Sequence, residues 1–361
     1  MIRVRSRFVI FGSVILFAAL LLGCQSTYVR SAKIYLQQND PENAKEVLLQ
    51  GTEVTPQDPE LWYILGKVYF DLREYPAMND AFSKSLELSD QFAGDIKITR
   101  FEAWRLQFNA AVKPFNEKKY EEALKLFEGA LSVIPDDPET LKRIGLCYIE
   151  LENFDKAEEY LKRTIALDTD TTDVASRFNL MQLYWRQKRY EDVIRVADEI
   201  LAMESDKLDD RKRLDTIQKK ALSYQQLDRV DDSIQAWTDA IAQFPGNADF
   251  YYNRAILLHG QERYDEAAKD YMKVLEINPD DVEARMNVAR ALLALQHWDT
   301  LEEVLEPYLF PGGEVEVYET DITDMDPWLI LRAAYENLGE KDKVQVVNKI
   351  LINLQKAESG S

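Results

Sequence analysis

The chain has 361 residues, 46% apolar and 30% charged, with only 13 Gly and 12 Pro. That balance excludes a disordered chain, and so few breakers over this length point to helices. The formal charge of −20 repels nucleic acid and anionic lipid headgroups and leaves cationic or neutral partners. With only Cys24 and Cys147, no disulfide framework staples the fold, so a core must hold it.

The first element is an export signal. Arg3, Arg5 and Arg7 precede an uncharged apolar run of 15 residues, Phe8 to Leu22. A membrane span needs about 20 residues, so the run suits the apolar region of a signal peptide. It ends in Leu21-Leu22-Gly23-Cys24, which resembles the lipobox of bacterial lipoproteins. The resemblance implies cleavage after Gly23 and lipidation of Cys24, which becomes the new N-terminus. Residues 1–23 are then the signal peptide and residues 24–30 the lipid anchor and tether. The matured chain would hold 41 basic against 64 acidic residues. Acyl chains hold a protein at about 0.8 kcal/mol per buried methylene. Residue 25 is Gln rather than Asp, which in enterobacterial lipoproteins implies the outer membrane, here facing the periplasm.

From Gln25 onward the chain repeats itself. Ala123-Leu-Lys-Leu-Phe127, Ala130 and Pro135 recur as Ala267-Ala-Lys-Asp-Tyr271, Val274 and Pro279, each set preceded by a tyrosine, Tyr120 or Tyr264. This resembles the tetratricopeptide repeat, two antiparallel helices in 34 residues. Nine units fit, beginning near residues 25, 59, 104, 138, 174, 214, 248, 282 and 325. The expected fold is all-α: a solenoid of helix-turn-helix repeats over residues 31–358. The eighth position of each unit, where its two helices touch, reads Ala32, Gly66, Ala111, Gly145, Met181, Ala221, Ala255, Ala289 and Arg332. The eleventh is mostly tyrosine: Tyr35, Tyr69, Tyr148, Tyr184, Tyr224 and Tyr335. The twentieth is small at Ala44, Ala123, Ala157, Ser233 and Ala267. Pro56, Pro135, Pro245 and Pro279 sit at the thirty-second.

Three stretches depart from the frame. Pro114 falls inside an expected helix, where it should kink or break it. Phe92 to Ala103 and Glu316 to Asp324 read as insertions, the second as a loop, and insertions are candidates for partner contacts. The last helix, Lys341 to Lys356, spreads Val344, Val346, Val347, Ile350, Leu351, Ile352 and Leu354 over more than one face. A terminal helix has nothing stacked on it. That surplus suggests a homo-dimer through the C-terminal helices, or simple exposure.

The resemblance also implies where ligands bind. Positions 2, 5, 6, 9, 12 and 13 of each first helix face the concave groove of such repeats. Position 6 is Asn in four units: Asn109, Asn179, Asn253 and Asn287. An Asn amide both donates and accepts, so a row of them suits the backbone of an extended guest. Superhelical members of the family, such as the repeat region of O-GlcNAc transferase, use an asparagine ladder in this way. Phe108, Phe178 and Tyr252 at position 5 and Trp185 at position 12 add aromatic surface. These eight residues are the candidate peptide-binding set. The bland alternative is that the Asn side chains are solvated and the aromatics packed between repeats. The carboxylate clamp of chaperone-tail binders is rejected, because Glu283 and Asn287 stand where it needs basic residues.

Catalytic signatures are missing. His259 and His297 form no zinc motif, and no glycine-rich phosphate loop occurs. Asp168-Thr-Asp-Thr-Thr-Asp173 begins like a calcium loop but lacks its glycine and its final Glu, so it reads as a turn that caps the next helix. Cys147 reads as a small buried hydrophobe. The expectation is a membrane-anchored scaffold without cofactor or catalysis, binding proteins or peptides of the cell envelope, in secretion, pilus or envelope assembly. Two rivals stay open: a structural oligomer with an empty groove, and an enzyme hidden in the insertions.

Overall fold

The computed structural model describes residues 26–170, 172–203, 208–313, 315 and 322–358. The leader and Cys24 lie outside them, as does most of the stretch from Glu316 to Asp324, of which residues 322–324 carry no regular structure. The described residues are helical hairpins with no strand among them. They fall into two compact units, residues 1–179 and 180–361.

In the first unit α1 (Thr27–Gln37) pairs with α2 (Pro41–Val54) and α3 (Pro59–Asp71) with α4 (Tyr75–Leu88). A 3-10 turn, Asp90–Phe92, then leads into α5 (Ala93–Asn116), which pairs with α6 (Tyr120–Val133). Next come α7 (Pro138–Glu150) and α8 (Phe154–Ala166), and the unit boundary falls within α9 (Val174–Arg186). The second unit continues with α10 (Tyr190–Leu201), α11 (Asp210–Gln226), α12 (Val230–Gln243), α13 (Ala248–Gly260) and α14 (Tyr264–Ile277). It ends with α15 (Val282–Leu295), α16 (Trp298–Leu309), α17 (Asp326–Leu338) and α18 (Lys341–Glu358). First helices of neighbouring hairpins touch where α1 meets α3, α3 meets α5, and α15 meets α17.

The periodic positions explain why the chain folds this way. Ala32, Ala111, Ala221, Ala255 and Ala289, all at position 8, are fully buried, as are Ala44, Ala123, Ala157, Ser233 and Ala267 at position 20. Small side chains on both helices let the hairpin close. Large buried side chains fill the rest: Leu61, Phe82 and Phe127 in the first unit, Trp237, Phe250, Tyr271 and Trp328 in the second. Each such side chain contributes about 2–3 kcal/mol on burial.

Starts and stops are equally local. Asp58, Asp137, Asp173, Asp209, Asn247 and Asp281 each accept a backbone N–H of the helix that follows. Such caps contribute about 1 kcal/mol each. Pro41, Pro59 and Pro138 open their helices, where no N–H is needed. Every hairpin turn carries one left-handed residue at position 15: Asn39, Arg73, Lys118, Glu152, Lys188, Asp228, Glu262, Gln296 and Gly339. The next N–H then reaches back to the carbonyl of position 11, as Asn153 does to Tyr148 at 2.9 Å. That bond satisfies a helix-end acceptor. Only the ninth turn uses glycine, the residue for which this backbone costs nothing.

Two departures resolve differently from the sequence expectation. Pro114 breaks nothing: α5 runs on to Asn116, and the ring is buried at position 11 of its unit. Only two residues of helix follow it, so little is disturbed. Most of the Phe92 to Ala103 insertion forms the first three turns of α5, anchored by buried Ile96 and Ala103. At the far end α18 buries Val347, Ile350 and Leu351 in the core of its own unit. Ile352, 50% exposed, is its one strongly exposed large apolar side chain among the described residues.

Candidate functional site

In the first unit the two candidate asparagines are unspent. Asn109 on α5 is exposed and Asn179 on α9 half-buried, and neither side chain has a hydrogen-bond partner among the described residues. Each therefore keeps a donor and an acceptor for a guest. Phe178, beside Asn179, is half-buried. Phe108 is less available, because it stacks on Trp104 at 5.1 Å and stands edge-on to Phe127 at 5.3 Å. Trp104 also stacks on Phe101 at 5.4 Å and donates to the Thr140 hydroxyl.

Earlier in the same unit the chain covers its own groove position. Tyr63, at position 5 of the second repeat, lies parallel to Phe92 with ring centroids 4.3 Å apart. Its hydroxyl donates to Asp95 at 3.1 Å. Burial, and then that bond, push its phenol up to about 12. Phe92 and Asp95 belong to the stretch that leaves the repeat frame, so position 5 alone gives no warning of this cover.

In the second unit the asparagines are partly used. The Asn253 amide donates to the Asp249 carbonyl, one turn back, at 2.7 Å, which leaves its oxygen and one N–H. Asn287 is engaged at both ends: it donates to the Tyr252 hydroxyl at 3.2 Å and accepts from Arg290 at 3.3 Å. Tyr252 stands edge-on to Tyr271 at 5.7 Å. Burial, then a bond to Glu283, raise its phenol far above the ordinary range. Trp185 stands edge-on to Tyr190 at 5.7 Å with the Lys219 ammonium 5.8 Å from its ring. Ile256 at position 9 of α13 and Leu329 at position 5 of α17 are each 41% exposed. Neither was among the candidates.

Position 2 of the first helix is acidic in six of the nine units. In the first unit Glu60 is paired with Lys33 at 2.6 Å, and Glu139 with Lys142 and Arg143. In the second unit Asp215 is paired with Lys219 at 2.5 Å and Asp326 with Arg290 at 3.4 Å. Asp249 and Glu283, between them, face no cation among the described residues. This column of acids was missed because carboxylates are so abundant in the chain. Its signal was their recurrence at one repeat position.

The residues weighed for chemistry have structural work. Asp168 accepts from the N–H groups of Thr172 and Asp173 and from Arg177, whose guanidinium is buried at 2.6 Å from it. Burial opposes its ionisation, but those donors outweigh it and hold the carboxyl below its usual range. Asp173 caps α9 through Ser176. Cys147 is fully buried, and burial pushes its thiol up to about 12, where it is no nucleophile at neutral pH. Burial, then the nearby Arg290 charge, lower His259, which packs edge-on to Tyr264 and Tyr271. Among the described residues no cluster of His, Cys, Asp and Glu could hold a metal, and no helix is long and apolar enough to cross a membrane.

Comparison with known proteins agrees with the hairpins. Two family models, both described as tetratricopeptide repeat, match residues 29–91 and 219–282, and residues 115–176 and 258–310. A DnaJ homolog subfamily C member 7 homolog of Dictyostelium discoideum is 23% identical over 314 residues, 82% of this chain and 56% of that protein. Human protein O-mannosyl-transferase TMTC3 is 21% identical over 301 residues, 82% of this chain and 30% of that protein. The chain thus spans about half or less of the length of the curated relatives it matches. The C-terminal part of a repeat-containing protein of Cytophaga hutchinsonii is 18% identical, with a TM-score of 0.46, covering 68% of this chain and 95% of that one.

Proposed function

Since the chain belongs to the tetratricopeptide-repeat family, whose members serve as protein-interaction scaffolds, we propose that it is a lipid-anchored, non-catalytic scaffold of a bacterial envelope that holds an extended segment of a partner. The observation that supports this best is the pair of free amides, Asn109 and Asn179, at one repeat position of the first unit. Asn109 is exposed and Asn179 half-buried, so both amides can exchange water for the N–H and C=O of a guest backbone. Asn253 and Asn287, with their bonds partly spent, are secondary contacts in this reading. Phe178, Trp185 and Tyr252 offer partly exposed rings to a guest side chain.

Cys24 carries the anchor in this reading, and the outer membrane facing the periplasm is its place. Secretion, pilus assembly and envelope assembly are the processes such a scaffold would serve. Self-association through the C-terminal helices has less behind it, because Ile352 is the one strongly exposed large apolar side chain that α18 presents.

A photoreactive residue at position 179 tests the groove. The expected result is crosslinks to one contiguous stretch of a partner, reduced about tenfold when Asn109 is Ala. Crosslinks scattered over many proteins, or confined to this chain, would overturn it. Cys24→Ala should move the protein from the membrane to the soluble fraction and abolish incorporation of labelled fatty acid. Unchanged labelling would remove the anchor.

A further inference from the structure

The free amides of the first unit read a backbone and do not choose a sequence. The second unit holds a feature that would choose. An open crevice of about 540 Å³ lies at the start of α13, lined by Leu214, Phe244, Asn247, Ala248, Asp249 and Ile277. Its wall is largely apolar, Ile277 is 39% exposed, and a side chain at Gly246 would meet nothing within 4 Å. Leu214, Ala248 and Val282 share the first position of successive repeats, and Val282 is 48% exposed. One step along the helices runs the acidic column, Asp215, Asp249, Glu283 and Asp326.

Charge says what covers this surface. Residues 230–326 contain 22 acidic and 6 basic residues. All six cations are engaged within the chain. Arg254 pairs with Asp270, Arg263 with Glu266, Lys269 with Asp265, Lys273 with Glu276 and Arg290 with Asp326. Arg285 donates to the carbonyls of Val304 and Pro279. Asp249 and Glu283 form no ion pair among the described residues, and Glu283 accepts only the Tyr252 hydroxyl. An acidic guest is repelled by this field, and a purely apolar one would desolvate Asp249 without compensation. A Lys or Arg avoids both costs, since its aliphatic stem suits the crevice wall and its head suits the carboxylates.

We propose that the crevice beside α13, with Asp249 in its wall and Glu283 at the same position of the next repeat, is a specificity site for a partner segment in which Lys or Arg stands next to aliphatic residues. The proposal rests on the groove reading above and adds the chemistry of the guest. Binding is salt-sensitive and falls as these two acids are neutralised.

The test uses short labelled peptides alternating Leu with Lys, Leu with Glu, and Gln with Lys, titrated by fluorescence anisotropy into the chain from residue 25 onward. Leu–Lys should bind about tenfold tighter than either of the others, because it alone satisfies both the apolar wall and the carboxylates. Asp249→Asn with Glu283→Gln should weaken it about tenfold and flatten its salt dependence. Asp299→Asn with Glu303→Gln, two exposed acids of α16, should leave it unchanged. Equal loss in both double variants would reduce the effect to net charge and overturn the site. So would equal binding of Leu–Lys and Gln–Lys, any binding of Leu–Glu, or no binding of Leu–Lys. Crosslinks through position 179 to a segment without basic residues would leave the groove standing and remove this inference alone.

Discussion

The two units are built from the same hairpin and treat the same surface in opposite ways. In the first, groove position 5 of the second repeat is roofed by the chain itself, with Phe92 stacked on Tyr63 and Asp95 accepting its hydroxyl. The acids at position 2, Glu60 and Glu139, are neutralised by lysine and arginine. In the second, Ile256 and Leu329 stand open and Asp249 and Glu283 have no cation. The repeat therefore dictates what is buried and leaves the groove free to diverge. A residue that leaves the frame, or a missing lysine, is enough to change what the groove accepts.

The steepest way to probe the shared part is position 8. A Cβ on Gly66 would lie 2.4 Å from the Phe82 ring, which is fully buried and cannot retreat. Gly66→Ala should cost about 3 kcal/mol, the upper end for overpacking. Its counterpart Ala255→Gly opens space instead and should cost about 1 kcal/mol through helix propensity. Urea denaturation measures both. Equal losses would mean that the two hairpins are packed alike.

Removing the roof is the next test. Phe92→Ala takes a half-buried ring from Tyr63 and should cost about 1–2 kcal/mol. It also has a pH signature. Burial and then the Asp95 bond favour the neutral phenol, so the folded chain holds that proton more tightly than the unfolded chain, whose tyrosine titrates near 10. The stabilisation is complete below pH ~10 and is lost as the pH rises from there through about 12. In Phe92→Ala and Asp95→Asn the titration of Tyr63, read by ultraviolet absorbance against Tyr63→Phe, should move down toward 10. An unmoved midpoint would show that the roof does not set it.

Much of this was legible in the residue pattern, and what was not has a physical reason. Positions 8, 11 and 20 are steric demands of two helices in contact, so Ala, Tyr and Ala announce them. The frame is silent about residues outside it, so Phe92 to Ala103 reads only as an insertion longer than a normal turn. Its helical nature was still written in Ile96 and Ala103, seven apart and continuous with Ala111, all of them buried. Asparagine at position 6 was equally readable. Whether the amide is free was not, because that depends on the Asp249 carbonyl and the Tyr252 hydroxyl meeting Asn253 and Asn287. Pattern names a side chain, and its neighbours decide whether it still has a bond to give.

A smaller effect should be alike in both units. Lys118 and Glu262 occupy the left-handed position of their turns, at φ 61 and 58. That conformation costs a side-chain-bearing residue about 1–2 kcal/mol, partly offset by the greater freedom glycine has when unfolded. Lys118→Gly and Glu262→Gly should each stabilise the chain by about 0.5–1 kcal/mol, by the same amount in either unit. A gain in one alone would mean that the turns are not equivalent.

The smallest effect is the most pointed, because it isolates the charge difference. Glu60, Glu139, Asp249 and Glu283 all stand in the first turn of their helices, where a negative charge is favoured by the helix dipole. Neutralising any of them loses that common part. Glu60 and Glu139 lose in addition a partly exposed ion pair, which contributes about 0.5 kcal/mol. Asp249 and Glu283 lose no pair and shed repulsion in a strongly acidic stretch. Glu60→Gln should therefore destabilise by about 0.5 kcal/mol more than Asp249→Asn, and added salt should erase the gap. A cycle with Lys33→Met makes the comparison strict, since the share of the Glu60 penalty due to Lys33 should disappear in that background. If it persists, the pairing in the first unit is not what separates the two acidic columns.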